Sequence, residues 1–246
     1  MKNPDLDVYK LNINDHQEFF QLYSDDTVPK PGITSRVLAE SVVNDVPKLS
    51  PRTALDLGCG VGLISLALKR AGVPRVYAAD IMREAVQYAA INSGVNHEPI
   101  LIRQSDGFTA YPDVLFDFII DDVSRVRDDI ARLSSWFPSE TPGGGDTGSE
   151  VTSALLRRSP RYLSKDGSFY FSISSLSDTE RIVAAAMDTY TGLEQKASQL
   201  IPLHREFGSH IKDLLDLEDE GKISLVKKGE KLFWQFDVWR AYDPKD

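Results

Sequence analysis

Three glycines constrain this chain more than any other feature. Residues 53–57, Thr-Ala-Leu-Asp-Leu, have the composition of a short buried strand. Gly58-Cys59-Gly60-Val61-Gly62 follow at once, and Leu63, Ile64, Leu66, Ala67 and Leu68 then recur at helical spacing. A strand that passes into a helix through G-x-G-x-G lets backbone approach a ligand closely, because glycine adopts backbone angles that other residues avoid. Asp56 stands two positions before the first glycine, and the spacing is tighter than the G-x-G-x-x-G of dinucleotide folds. A carboxylate at that helix N-terminus would repel a pyrophosphate. It suits a ligand that is positively charged and carries no phosphate.

The segments that follow fix the fold class. RVYAAD (75–80), PILIRQ (99–104), VLFDFIID (114–121) and GSFYFSIS (167–174) read as strands. Between them lie amphipathic stretches at 84–93, near 149–162 and near 178–190. Such alternation predicts an α/β, Rossmann-like fold: a seven-stranded, mostly parallel sheet covered by helices on both faces. The stretch 222–242 reads as two strands around Lys228-Gly229, an antiparallel C-terminal hairpin at the sheet edge. Phe19, Phe20 and Tyr23 suggest a helix, so residues 1–30 are expected to form a helical cap or lid over the domain made by 31–246.

Asp80 ends its strand 24 residues after Asp56, where a carboxylate can accept hydrogen bonds from both ribose hydroxyls or cap the next helix. Ile81 follows it. Ser105-Asp106-Gly107-Phe108 closes the third strand, where Asp106 can take an adenine amino group and Phe108 can lie against the ring. Gly58, Gly60, Gly62, Asp56, Asp80, Ile81, Asp106, Gly107, Phe108 and Asp121 are therefore the candidate cofactor-binding residues, and the cofactor expected is S-adenosylmethionine (SAM). In this order the motifs resemble class I SAM-dependent methyltransferases, over roughly residues 28–175. Within that superfamily the chain looks most like the release-factor glutamine methyltransferase family of small-domain methyltransferases. Val28-Pro29-Lys30-Pro31-Gly32-Ile33, Phe116 to Ile120, and Gly144-Gly145-Asp146-Thr147-Gly148 carry that likeness.

One departure bears on chemistry. That family's catalytic loop is Asn-Pro-Pro-Tyr, which holds a planar amide nitrogen; here the four places are Asp122-Val123-Ser124-Arg125. Amide methylation of glutamine is not carried over, and the family's N-terminal helical bundle has no counterpart. The candidate catalytic residues are Asp122, Asp121 and Ser124: a carboxylate can hold an amine or serve as a base, and a hydroxyl can hydrogen-bond. The pair Asp121-Asp122 supplies too few oxygens for a hard cation, so no metal is expected. His204 and His210 are further candidate bases; Trp136, Phe137 and Pro138 are candidate pocket walls or packing residues.

A net charge of −9, with Lys227, Lys228 and Lys231 as the one basic cluster, argues against a phosphate-backbone partner. The one cysteine and the lack of an apolar N-terminal stretch suggest a reducing, cytoplasmic setting. The partners expected are a small-molecule substrate, with no nucleic acid and no membrane; a homodimer is compatible with the sequence. The leading function is methyl transfer from SAM to a small, biosynthetic acceptor. The alternatives are a SAM-consuming cyclisation to azetidine-2-carboxylate with release of methylthioadenosine, and a non-catalytic SAM-binding protein.

Overall fold

The computed structural model describes residues 4–133 and 143–245. Trp136, Phe137 and Pro138 lie outside the described residues. The chain opens with an antiparallel hairpin of β1 (Asp5–Ile13) and β2 (His16–Ser24). The main sheet contains β3 (Thr53–Leu57), β4 (Arg75–Asp80), β5 (Leu101–Gln104), β6 (Phe116–Asp121), β7 (Leu163–Ser174), β8 (Tyr190–Pro202), β9 (Val226–Lys228) and β10 (Lys231–Pro244). Its order is β5-β4-β3-β6-β7-β10-β8, a path of seven strands, with β9 pairing β10 as an eighth. The pairs from β5 through β7 are parallel; β10 is antiparallel to β7, β8 and β9.

The helices are α1 (Ile33–Val43), α2 (Val46–Leu49), α3 (Leu63–Arg70), α4 (Arg83–Val95), α5 (Asp128–Ala131), α6 (Glu150–Arg158), α7 (Thr179–Thr189) and α8 (Ile211–Asp219). Leu38, Val42, Leu66, Ile120 and Tyr170 share one buried cluster, with α1 and α3 on that face. Leu156, Ile182, Phe116, Phe169 and Phe171 share the other, under α6 and α7. Phe169, Tyr170 and Phe171 point alternately to the two faces, as the pleat dictates, and a strand covered on both sides can be apolar throughout. None of the described helices is long and apolar enough to cross a membrane.

Two expectations are corrected. Residues 16–23 are not helical: His16–Ser24 is a strand, with Phe20 and Leu22 buried and Phe19 56% exposed. The apparent helical spacing of Phe19, Phe20 and Tyr23 arises because the outward face of the hairpin also carries apolar residues, Leu6 and Val8 among them. The C-terminal hairpin is not the sheet's outermost strand pair either: β8 is the edge, and β10 lies between it and β7. Burial explains the order, since Trp234, Phe236, Val238 and Ala241 of β10 are buried, whereas the long β8 is mostly half-exposed.

The hairpin is fastened by side chains that imitate a strand. Asn92 Oδ1 accepts from Tyr23 N–H at 2.7 Å, and its Nδ2 donates to Tyr23 O at 3.0 Å. One helical turn on, Asn96 repeats the pattern with Gln21, at 3.0 and 2.7 Å. Spacing of four residues puts both amides on one face of α4, so they satisfy the open edge of β2. Glu40 of α1 accepts from the Asn12 backbone at 2.8 Å on the hairpin's other strand.

Candidate active site

The carboxyl ends of four strands are stitched together at one edge of the sheet. Gly58 and Cys59 N–H both donate to Ala79 O, at 2.8 and 3.1 Å; Ser105 N–H donates to Asp80 O, and Asp122 N–H to Leu57 O. Ligands of open α/β sheets bind at this edge. Gly58 has φ +72°, and a Cβ there would lie 3.0 Å from Asp122 O and Val123 N. Only glycine lets the turn pass this close to the end of β6. Above the turn lies a cavity of about 870 Å³, within the size range of small-molecule sites.

Of the sequence candidates, Gly58, Gly60, Asp80, Ile81, Asp106, Gly107, Asp122 and Ser124 line this cavity. Asp80 braces the turn: Oδ2 accepts from Gly60 N–H at 2.8 Å and Oδ1 from Met82 N–H at 2.9 Å. Each oxygen keeps a second lone pair for a ligand hydroxyl. Burial pushes the Asp80 carboxyl above its ordinary range, against the backbone donors that hold it down. Ile81, 53% exposed, and Asp106 stand at the rim.

The other candidates are placed elsewhere. Gly62 caps α3 against Ala89, where a Cβ would be in ordinary contact at 3.5 Å. Phe108 does not line the cavity: it is fully buried and stacks on Tyr162, with centroids 4.2 Å apart and planes 6° apart. The short helical turn that places Tyr162 there is remote in sequence, so burial of Phe108 overrides the ring-binding expectation. Asp56 is also fully buried beneath the turn, accepting from Ser65 Oγ at 2.5 Å, while its Oδ1 has no hydrogen-bond partner. Burial raises its pKa to about 7, and the Asp122 and Asp80 charges add to the rise. Asp121 is buried as well; it accepts from Val123 N–H at 3.1 Å and does not line the cavity.

Asp122 is a further carboxylate of the cavity wall. Burial lifts it to about 6, while Arg125, 3.1 Å away, and the Ser35 side chain hold it down. Arg125 is anchored in turn by Ser172 Oγ, Val123 O and Asp121 O. Ser124 Oγ is buried without a hydrogen bond. His204 lines the cavity; His210 lies outside it and pairs with Asp213 at 3.1 Å. Burial pushes the Cys59 thiol well up, so packing rather than reactivity accounts for it.

Sequence reasoning did not name Trp234, Phe236, Ile201 and Pro202 as site residues, yet all line the cavity. No local motif marks them; β10 and the end of β8 reach the site through strand order. The residues present fit SAM. The turn is open at Gly60, where an added Cβ would meet nothing within 4 Å, and the carboxylates around it suit a cation without phosphate.

Residues 22–122 match the family "Methyltransferase small domain". The ribosomal protein L11 methyltransferase of Thermotoga maritima is 34% identical over 87 residues, which cover 33% of each chain. The chain thus covers about a third of the length of that relative. The N5-glutamine methyltransferase homologue MJ0928 of Methanocaldococcus jannaschii is 25% identical over 63% of this chain and 77% of its own. Among solved structures, the Thermus thermophilus 16S rRNA N2 G1207 methyltransferase (RsmC), in complex with AdoMet and guanosine, superposes with a TM-score of 0.57. That match has 15% identity and covers 97% of this chain and 50% of the other. The L11 methylase of Lactobacillus delbrueckii superposes with a TM-score of 0.53, at 17% identity, over 88% and 82% of the two chains. From β2 to the carboxyl end of β6 the chain thus matches the methyltransferase small domain, and it shares the fold of these solved methyltransferases.

Proposed function

We propose that the protein transfers the methyl group of SAM to a small-molecule acceptor. The observation that carries this reading is the cavity at the sheet's carboxyl edge, where Asp80, Asp106 and Asp122 face one space beside a glycine turn. SAM, when bound, supplies a methyl group made electrophilic by its sulfonium. Asp80 and Asp106 are read as the ribose and adenine contacts, with Ile81 as an apolar platform at the rim. Asp56 and Asp121, buried behind the turn, add negative potential without touching the cavity.

The chain's contribution to the reaction is chiefly placement. Asp122, held by Arg125, orients the acceptor and receives a proton at its carboxylate; with a pKa of about 6 it is mostly ionised at neutral pH. Ser124, which lines the cavity, is read as a second polar contact for the acceptor. The wall formed by Trp234 and Phe236 provides room beyond that of the nucleoside, which favours a separate acceptor over cyclisation of SAM on itself. Relatives named for ribosomal protein and rRNA methylation act on macromolecules. The charge of −9 and the walled cavity support a small acceptor for this chain.

The test is calorimetry with SAM, S-adenosylhomocysteine (SAH) and NAD, then mass spectrometry of products with and without a cell extract. SAM and SAH should bind, NAD should not, and SAH should form from SAM only when extract is present. Methylthioadenosine formed from SAM alone would replace methyl transfer with cyclisation. Tight binding of NAD would sink the reading altogether.

A further inference from the structure

The cavity has two chemically different ends. Gly60, Asp80 and Asp106, on the β3–β5 side, account for a nucleoside. At the opposite end of the strand order lie Ile201 and Pro202 at the close of β8 and Trp234 and Phe236 near the start of β10; Arg125, paired with Asp122, lies over the Phe236 ring at 5.9 Å from its centroid. The Trp234 and Phe236 rings stand at 82°, with centroids 6.1 Å apart, and form an aromatic corner. An apolar, ring-lined end suits a flat ligand, which gains dispersion and quadrupole interactions there at little conformational cost.

Charge narrows the class. Lys30 and Arg125, the lysine and arginine on the cavity wall, already have carboxylate partners: Asp5 and Asp7 for the first, Asp122 for the second. An incoming carboxylate or phosphate would meet acidic groups and no uncommitted lysine or arginine of the wall, a costly desolvation. The Asp122 carboxylate, which only accepts when ionised, instead calls for an N–H or amine edge.

On the SAM-dependent reading above, we propose that the β8–β10 end of the cavity is the acceptor site. It selects a free, flat, nitrogen-bearing aromatic ring that is neutral or cationic, through Trp234, Phe236 and Asp122. Trp234 is a specificity residue for that ring and leaves the cofactor end untouched. Anionic acceptors are rejected by the same carboxylates that attract the ring's amine edge.

Binding to the protein saturated with SAH separates this proposal from its premise. Three probes are titrated by calorimetry: 4-aminoquinoline, quinoline-4-carboxylate and cyclohexylamine. 4-Aminoquinoline should bind at least about tenfold more tightly than either of the others. Trp234→Ala should weaken 4-aminoquinoline about tenfold or more while leaving SAH affinity within about twofold, and Trp234→Phe, which keeps a ring and a fold, should restore most of the loss. Equal or tighter binding of the quinoline carboxylate would overturn the proposal. So would failure of 4-aminoquinoline to bind, or indifference to both Trp234 variants. A single-stranded oligoribonucleotide that binds more tightly than the free ring would overturn the small-molecule source. If SAH itself fails to bind, it is the cofactor reading that falls.

Discussion

Replacing Asp56 with asparagine should make the protein's stability less sensitive to pH. Asp56 is fully buried, accepts one hydrogen bond from Ser65, and leaves Oδ1 unpaired. Its carboxyl is carried from 3.8 to about 7, chiefly by burial. The folded state therefore holds the proton more tightly than the unfolded chain does. Stability from this group is greatest below the unfolded value near 4, falls as pH rises towards 7, and levels off above it. Between pH 5 and pH 8 the loss amounts to roughly 3 kcal/mol. Asp56→Asn keeps an acceptor for Ser65 and removes the charge, but it places an amide where Oδ1 has no partner, a cost of about 1–3 kcal/mol. The variant should thus be no more stable than wild type at pH 5 and at least as stable at pH 8, while binding SAM more weakly at pH 8, where wild-type Asp56 is ionised. Urea unfolding of the ligand-free proteins at the two pH values measures the difference. Asp80, Asp121 and Asp122, also raised by burial, are present in both proteins, so most of their contribution cancels. A stability difference that stays the same at pH 5 and pH 8 would refute the burial argument.

Gly58→Ala should lower SAM affinity at least about tenfold, because an alanine at φ +72° is strained by about 1–2 kcal/mol and its Cβ would press on Asp122 O. Calorimetry reads this, and unchanged affinity would mean that the turn need not approach β6 so closely. Asn92→Ala should cost about 2–3 kcal/mol in urea unfolding, since it removes bonds to Tyr23 N, Tyr23 O and Val61 O from a fully buried amide. Asn96→Ala, at a more exposed position, should cost about 1 kcal/mol or less; equal losses from the two variants would argue against the buried amide as the hairpin's main fastening.

The legible parts of the chain are those where local pattern and tertiary burial agree. Thr53–Leu57 is buried at every residue and reads as a strand directly, and Gly58 and Gly60 of the turn that follows line the cavity. Asp80 and Asp122 follow because Asp80 ends β4 and Asp122 comes directly after β6, strands whose apolar runs are unmistakable. The hairpin is not legible in the sequence because Leu6, Val8 and Phe19 face outward and blur the two-residue period that Phe20 and Leu22 keep on the inner face. Strand β8 has few fully buried residues, Tyr190 and Ile201 at its ends, so no periodic signal marks it. Phe108 illustrates a different limit: its neighbour Tyr162 is brought in by the fold, and nothing near residue 108 encodes that meeting. Trp234 and Phe236 enter the site for the same reason, through the insertion of β10 beside β7.

Asn92 also joins two parts of the chain that the sequence keeps far apart. The amide that holds Tyr23 in the hairpin donates to Val61 O, within the glycine turn itself. Peeling the hairpin away would leave a buried amide half-bonded directly behind the glycine turn. The N-terminal ribbon therefore works as a buttress: cutting the chain near residue 28 and letting the ribbon drift should register first as loosened amide-hydrogen exchange at Val61 and Gly62.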